Sequence, residues 1–396
     1  MKLPRPQDRL DLLNSLRNKK MARSAHAYVR GNTVQFYQWL HSQRGRRLPH
    51  GPSVWICGDC HVGNLGPTGD IHGRIDINIR DLDQAVIGNP THDLVRLALS
   101  LAMAARGSDL PGVTTARMLE EMMRGYQQAF VKGQGDQPER PSQVKGGMRT
   151  AVQRTWKHLA RERIENERPT IPLGKSFWPL SRAEKAEIKL LCATPELHKL
   201  VTSLKGRPND APVELLDSAY WVKGCSSLGL MRYAVLLGVG GDDEQDYCLI
   251  DVKEAIAAAA PRAASAHMPR DNARRVVEGA RHLSPALGER MLATRFLDHG
   301  VFIRELLPQD MKLELDTLNE TDAMRAAGYL ARIVGIAHAR QMDDDLRKSW
   351  LADLQLNRSK TLDAPSWLWT SVVQLVGSHE EGYLEHCRRY ALQTAR

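Results

Sequence analysis

The sequence predicts a mixed α+β protein, helical over much of its length and rich in strands over one stretch, and three observations carry that expectation. A short apolar run, Ser53-Val54-Trp55-Ile56-Cys57, leads into a polar, Gly-bounded loop, as a buried strand would. Between residues 215 and 315, apolar segments alternate with turn signals in the manner of hairpins. Elsewhere apolar residues recur at helical spacing, most clearly over 320–341, where Met324, Ala327, Leu330, Val334 and Ala337 form one stripe. A chain of 396 residues is long enough for two or three compact units and a sizeable core.

Taken in order, residues 8–45 predict helices. Asp8 is placed to cap a segment carrying Leu10, Leu12, Leu13 and Leu16, and Ser24 to cap a second carrying Tyr28 to Leu40, with an interruption at Gly31-Asn32. After the strand at 53–57, Gly73 to Ile79 alternates apolar and polar and predicts a strand ending at Asp81. Gly88-Asn89-Pro90 is a turn, and Thr91 is placed to cap a helix from Asp93 to about Ala105. Helices are expected at 115–131 and 145–166, with an exposed Gly-, Gln-, Pro- and Asp-rich loop at 132–144. Trp221 to Leu230 predicts a strand running into a small-residue turn. Strands follow at 232–239 and 247–253 around a turn at Gly240-Gly241-Asp242-Asp243. A helix is expected at about 271–283, a hairpin at 292–306 across Asp298-His299-Gly300, and a last helix over 365–392.

Composition narrows the partners. The formal net charge of +9 suits an acidic partner such as a nucleotide, a phosphorylated metabolite or a nucleic acid, and equally suits simple solubility. The basic residues from Lys145 to Arg168 alternate with Glu162, Glu165 and Glu167, which reads as a solvated helix face. No recognised nucleic-acid motif is present, so a nucleic-acid partner is not expected. No apolar run approaches the roughly 20 residues needed to span a bilayer, and the first residues lack the apolar core of a signal peptide. A cytoplasmic protein without membrane insertion is therefore expected. The six cysteines suggest thiols, not a disulfide framework. Cys57-Gly58-Asp59-Cys60-His61 also spells the haem c attachment pattern, but haem attachment needs export, and no second ligand pair at zinc spacing is found.

The chemistry-bearing residues fall into two groups. In the loop at 58–64, Asp59 is placed to accept or orient the proton of an attacking hydroxyl. Asn64 would bind a metal through its amide oxygen, and His61 would contact phosphate or support the loop. Asp81, at the end of its strand, would be the main metal ligand, with Asp83 helping or holding the loop. Asp93, opening the next helix, would brace the catalytic loop through backbone N–H groups. The second group begins at Gly224-Cys225-Ser226-Ser227-Leu228-Gly229, a Gly-x-Ser-x-x-Gly segment whose small residues let backbone amides approach phosphates. Lys253 follows at the end of the second strand beyond it, at the spacing of the lysine that pairs with α- and β-phosphates. Glu278 is a candidate partner for Lys253, and Arg30 would touch phosphate, acceptor or a structural acid. Glu305 falls where a hinge would meet adenine through backbone groups, so the identity of that residue carries little information.

Together these stretches resemble the protein-kinase-like superfamily, above all its aminoglycoside phosphotransferase branch. Gly58-Asp59-Cys60-His61-Val62-Gly63-Asn64 stands for the catalytic loop, with Cys57 where that branch has His. Arg80-Asp81-Leu82-Asp83 stands for the metal motif, with Arg80 where that branch has Ile. Gly88-Asn89-Pro90-Thr91-His92-Asp93-Leu94 stands for the Gly-Pro and Asp-Leu-Ala words. More closely, most of the chain resembles the bacterial family called domain of unknown function 2252. The matching words are Lys20 to Gly31, Gly58 to Gly66, Asp76 to Ala85, Phe177-Trp178-Pro179-Leu180, Asp251 to Ala255, and Val301 to Leu306 through Met311-Lys312. Ser226 stands where that family has the middle Gly.

The superfamily resemblance implies a bilobal, protein-kinase-like fold that uses ATP and Mg²⁺ to phosphorylate an unidentified hydroxyl acceptor, either a small molecule or a protein. A pseudokinase without turnover and a nucleotidyl (AMP) transferase using the same groups are the alternatives. Because the catalytic loop precedes the phosphate loop, a circular permutation is implied. The expected parts are N-terminal helices at 1–45, a helical lobe at 46–214, a nucleotide-covering β lobe at 215–315, and C-terminal helices at 316–396 packing back on the helical lobe.

Overall fold

The computed structural model describes residues 3–42, 48–108, 110–131, 140–141, 144–145, 169–204, 206–240, 246–264, 266–307, 319–355 and 364–390. Within them the chain is a mixed α+β protein. The predicted helix at 145–166, the loop at 132–144, the turn at 240–243 and Met311-Lys312 lie wholly or largely outside the described residues.

The N-terminal segment forms α1 (Arg9–Met21), α2 (Ala25–Gly31) and α3 (Thr33–His41). Ser24 caps α2 by accepting from the Ala27 amide at 3.1 Å. Asn32 ends α2 and caps α3 through the Gln35 amide, so the predicted break is a helix-to-helix junction. Asp8 does not cap α1 with its side chain; it accepts from Arg5 Nε instead, at 2.9 Å.

Four short strands hold the two acidic loops. β1 (Val54–Ile56) pairs antiparallel with β4 (Val86–Gly88), and β2 (Leu65–Gly69) with β3 (Ile75–Ile79). The loop at 57–64 joins β1 to β2, and the loop at 80–85 joins β3 to β4. The Arg80 amide donates to the Asn64 carbonyl at 2.8 Å, which fixes the loops side by side. α4 (Pro90–Gly107) follows and is buried along most of its length. Its cap is Asn89, whose Oδ1 accepts from the Thr91 amide at 3.0 Å, not Thr91 as predicted; Pro90 takes the first helical position, where no N–H is needed.

Beyond α5 (Gly112–Gln128), the strands β5 (Phe177–Trp178), β6 (Val213–Trp221), β7 (Arg232–Val239), β8 (Asp246–Glu254), β9 (Met291–Phe296) and β10 (His299–Glu305) build one antiparallel sheet, in the spatial order β5-β6-β7-β8-β10-β9. On one face Tyr233, Val235, Ile250, Val252, Phe296 and Ile303 bury against α6 (Arg182–Cys192), α7 (Pro195–Thr202) and Leu13 of α1. Strand alternation puts Arg232, Asp251 and Lys253 on the opposite face, with Ala234, Leu236 and Leu249. The β9–β10 turn is Leu297-Asp298, both at positive φ (46° and 63°), one residue earlier than expected.

This packing moves one predicted boundary. Leu180, Ile188, Leu191, Leu197 and Val201 join the core of the sheet, and β5 is its edge strand. The region from about 171 to 214 therefore goes with the strands, not with the helical part to which the sequence boundary assigned it. α6 and α7 escaped prediction although Ser181 and Glu184 form a reciprocal capping box.

α8 (Asn272–Leu283) and α9 (Pro285–Gly288) lie between β8 and β9. α10 (Glu320–Ala339), α11 (Asp344–Gln355) and α12 (Ser366–Tyr390) complete the described chain. α12 packs on α4 and α2, and α10 lies along α5. The α5–α10 crossing is close enough that a Cβ at Gly125 would overlap the Gly328 carbonyl. Gly125→Ala is therefore expected to lower stability by about 1–3 kcal/mol through overpacking. Urea unfolding checks this; an unchanged midpoint would mean that the helices separate freely.

Candidate active site

Asp93 shapes the first acidic loop. Fully buried at the start of α4, it accepts from the Cys57 amide at 2.7 Å and the Gly58 amide at 2.9 Å. His338 Nε2 of α10 lies 3.2 Å from the same carboxylate. Behind it Tyr126 hydroxyl meets His338 Nδ1 at 3.0 Å, and Trp350 Nε1 donates to Tyr126 at 3.2 Å. Gly58 sits at φ +73°, and a Cβ there would overlap the Gln84 carbonyl of the second loop. The loop can thus turn sharply out of β1 and keep its two N–H groups bonded.

Asp59 follows. Its Oδ1 accepts from Arg96 Nε at 2.9 Å, one turn along α4 from Asp93, and His61 Nε2 lies 3.9 Å from its Oδ2. Burial pushes the Asp59 carboxyl above its ordinary value, against the pull of Arg96. Burial, then Arg96 and Arg30, hold His61 well below the usual imidazole range, so its ring is neutral near pH 7. Asn64 donates its amide nitrogen to the Asp59 carbonyl at 2.9 Å. That contact commits the nitrogen and leaves the carboxamide oxygen as the end free to serve as a ligand.

The second loop meets the sheet. Lys253, on β8, is ion-paired with Asp83 Oδ2, and its Nζ lies 3.6 Å from Asp81 Oδ1. The lysine side chain is 5% exposed and the Asp81 side chain 49%, so the ammonium supports the carboxylates from beneath. Against the effect of burial, Lys253, Asp83, Arg304 and Arg232 pull the Asp81 carboxyl below its ordinary value, while burial and the Asp81 charge push Asp83 up. Asp251, between Arg232 (2.5 Å) and Arg304 (3.5 Å), completes this charged layer.

Two clefts adjoin these groups. One, of about 630 Å³, is lined by Tyr28, Thr33, Asp83, Gln84 and Ile256, among others. The other, of about 500 Å³, is lined by Lys20, Arg30, His61, Gly224 and Ser227, among others. Asp59, Asn64, Asp81 and Ser226 line both and form the ridge between them. These volumes lie in the range of small-molecule sites.

The donor set suits a small hard cation. Asp81 and Asn64 present oxygen atoms, and Asp83 Oδ1 is buried and accepts no hydrogen bond from a described residue. Among the described residues no group of three His, Cys, Asp or Glu side chains could hold a metal by itself.

Several predicted residues lie apart from this ridge. Glu278 is not the partner of Lys253: it lies beside Arg281 at 3.4 Å and His282 at 3.7 Å, on the partly exposed side of α8. The carboxylates that pair with Lys253 come from the 80–85 loop instead. Glu305 is buried in an ion pair with Arg207 at 2.9 Å and lines neither cleft. Gly229 also lies outside both clefts, facing Asn14 and Leu10 of α1. Ser226 lines both clefts, and Gly224 and Ser227 line the second.

Sequence reasoning missed Arg96, His338 and Arg275. Arg275 Nη2 donates to the carbonyls of Asp83 and Ile256, both at 2.9 Å, and ties the second loop to α8. A signal existed for the first two: Arg96 interrupts the apolar run Leu94 to Leu99, and His338 the small-residue stripe of α10. Arg275 sits among other charged residues, and only its fold partners distinguish it.

These features define a mixed α+β protein with an acidic ridge between two clefts. The chain matches, over residues 9–389, the family described as an uncharacterized protein conserved in bacteria, DUF2252, and it belongs to that family. No curated protein and no solved structure matches it.

Truncation of Asp93 to Ala strands two buried N–H groups and is expected to cost about 3–5 kcal/mol in chemical unfolding. A loss below 1 kcal/mol would show that the loop is held by other contacts. Asp251 gives a pH signature. Burial alone would raise its carboxyl, but Arg232 and Arg304 hold it well below the ordinary value. A depressed folded-state pKa contributes stability above the usual carboxylate range and loses it as pH falls. Melting temperature is therefore expected to drop between about pH 5 and pH 2, and less steeply in Asp251→Asn. Equal slopes would remove Asp251 from that account.

Proposed function

We propose that this chain is a Mg·ATP-dependent phosphotransferase with a bilobal, protein-kinase-like and circularly permuted architecture, acting on a hydroxyl acceptor. The observation that carries the reading is the meeting of Lys253 with Asp81 and Asp83, the latter 170 residues away in sequence, beside Asn64 and Asp59.

Connectivity supports the same reading. In protein kinases a Gly-rich loop covers the phosphates, the phosphate-pairing lysine stands on the third strand, and a helix follows. Here the Gly224–Gly229 segment joins β6 to β7, Lys253 stands on β8, and α8 follows before the β9–β10 hairpin. The permutation has its own support. Trp55 of β1 donates its amide to Gln341 Oε1 at 2.7 Å and accepts from Gln341 Nε2 at 3.0 Å. The end of α10 thus lies against the strand that enters the catalytic loop, where an unpermuted chain would pass directly from one to the other.

In this reading Asp59 receives the proton of the acceptor hydroxyl, and a carboxyl raised toward the working pH is the better base. Arg96 holds it in position. Asn64 and Asp81 hold Mg²⁺, which supplies positive charge to the phosphate oxygens. Lys253 keeps Asp81 ionised and brings further positive charge beside it. Glu278 has no part in this arrangement, and Glu305 has none through its side chain.

Thermal unfolding with and without Mg·ATP tests the reading. Saturation at about 100 times Kd is expected to add about 2.7 kcal/mol of stability, and Asp81→Asn is expected to abolish the metal-dependent shift. No shift with any nucleotide in the wild type would sink the proposal. Product mass then separates transfer of phosphate from transfer of a nucleoside monophosphate.

A further inference from the structure

The second cleft carries far more positive charge than its carboxylates require. Seven Lys and Arg side chains line it against two acids, Asp59 and Asp81, and two of the seven, Arg232 and Arg304, are answered by Asp251 behind them. Both acids are answered from outside the cleft, Asp59 by Arg96 and Asp81 by Lys253. Arg23 and Arg30 have no carboxylate partner among the described residues, and both reach the cleft from the N-terminal helices. Arg30 lies across the catalytic loop. A Cβ at Gly63 would come within 3.0 Å of its guanidinium, so the bare glycine is what admits it. Lys20 donates to the Gly224 carbonyl at 2.9 Å and ties the glycine loop to the same helices. Gathered cations repel one another unless an anion lies between them, and arginine forks match the oxygen spacing of phosphate.

We propose that this cleft is a phosphate subsite, in which Arg23 and Arg30 hold a phosphate group beside Asn64 and Asp81. Which phosphate this is rests on the phosphotransferase reading: the terminal phosphates of the nucleotide, or a phosphate carried by the acceptor. The site supplies to either what the Gly-rich loop and Lys253 do not, namely guanidinium groups on the catalytic-loop side of the ridge.

Calorimetric titration of the full chain tests this with three probes: inorganic tripolyphosphate, Mg·ATP, and inorganic phosphate added to chain saturated with Mg·ADP. The expected result is that Arg23→Ala and Arg30→Ala each weaken tripolyphosphate binding tenfold or more, Arg30→Lys less, and the distant charge control Lys348→Ala not at all. Arg23 is exposed, so its truncation leaves packing intact if Arg30→Ala fails to fold. An equal loss for Mg·ATP assigns the subsite to the nucleotide. Unchanged Mg·ATP affinity with loss of inorganic phosphate binding assigns it to the acceptor. Wild-type affinity for all three anions in both variants overturns the proposal, as does an equal loss in Lys348→Ala or a wild type that binds neither tripolyphosphate nor phosphate. Tripolyphosphate binding that depends on Arg23 and Arg30, in a chain that binds no nucleotide, would keep the subsite and remove the phosphotransferase reading.

Discussion

The buried carboxylate of Asp93 is the constraint on which the site depends. It accepts from two successive backbone amides where the chain leaves β1, and it meets His338 from the far end of the described sequence. Both amides belong to buried residues, so without the carboxylate each would be a desolvated donor with no acceptor. One side chain thus joins β1, α4 and α10 at a point, and the loop carrying Asp59, His61 and Asn64 inherits the rigidity of the helical core. Arg96, on the next turn of the same helix, then sets the direction of Asp59. The 57–64 loop is in effect an extension of α4, although the β2–β3 hairpin, the second acidic loop and β4 separate the two in sequence.

Charge is arranged in layers behind the ridge. Arg96 lies under Asp59, Lys253 under Asp81 and Asp83, and Asp251 between Arg232 and Arg304. Buried pairs of this kind add little net stability, because desolvation consumes most of the Coulomb attraction. Apolar residues of similar volume would hold the sheet to the loops at least as well. The layers are better explained by what they do at the surface of the ridge: against the effect of burial Lys253 holds the half-exposed Asp81 low, while burial and the Asp81 charge raise its neighbour Asp83. Arg96 likewise opposes the burial that raises Asp59.

Much of this was legible in the sequence, and what was not has physical reasons. Strands β7, β8 and β10, helices α4, α8 and α10, and the break between α2 and α3 follow from periodicity and caps. The acidic loops follow from Gly-bounded turns at strand ends. Asp93 was expected to hold backbone N–H groups, and it does. By contrast, the pairing of Lys253 with Glu278 was drawn from spacing alone, and spacing cannot say which face of α8 meets the sheet; Val276, Val277 and Ala280 take the buried face, and Glu278 is left near solvent. The side chain of Glu305 is taken by Arg207, from a loop nearly a hundred residues earlier. Such long-range partners leave no local trace. The positively charged cleft was invisible for the same reason, since its cations come from α1, α2, the 80–85 loop and the sheet, and only folding brings them together.

The close joining of Gln341 to Trp55, 286 residues apart, and of His338 to Asp93, 245 apart, sets the order in which this site can come into being. During synthesis the acidic loops emerge first, the sheet with Lys253 next, and the helix that meets Asp93 after both. A nascent chain that has reached residue 310 holds every candidate group on the ridge and still lacks the clamp that positions them. Contacts of such high sequence separation also slow folding, because long loops must close before any contact rewards them. The first loop thus gains its clamp only with α10, an element that contributes no side chain to either cleft, and the first cleft gains its α12 wall later still.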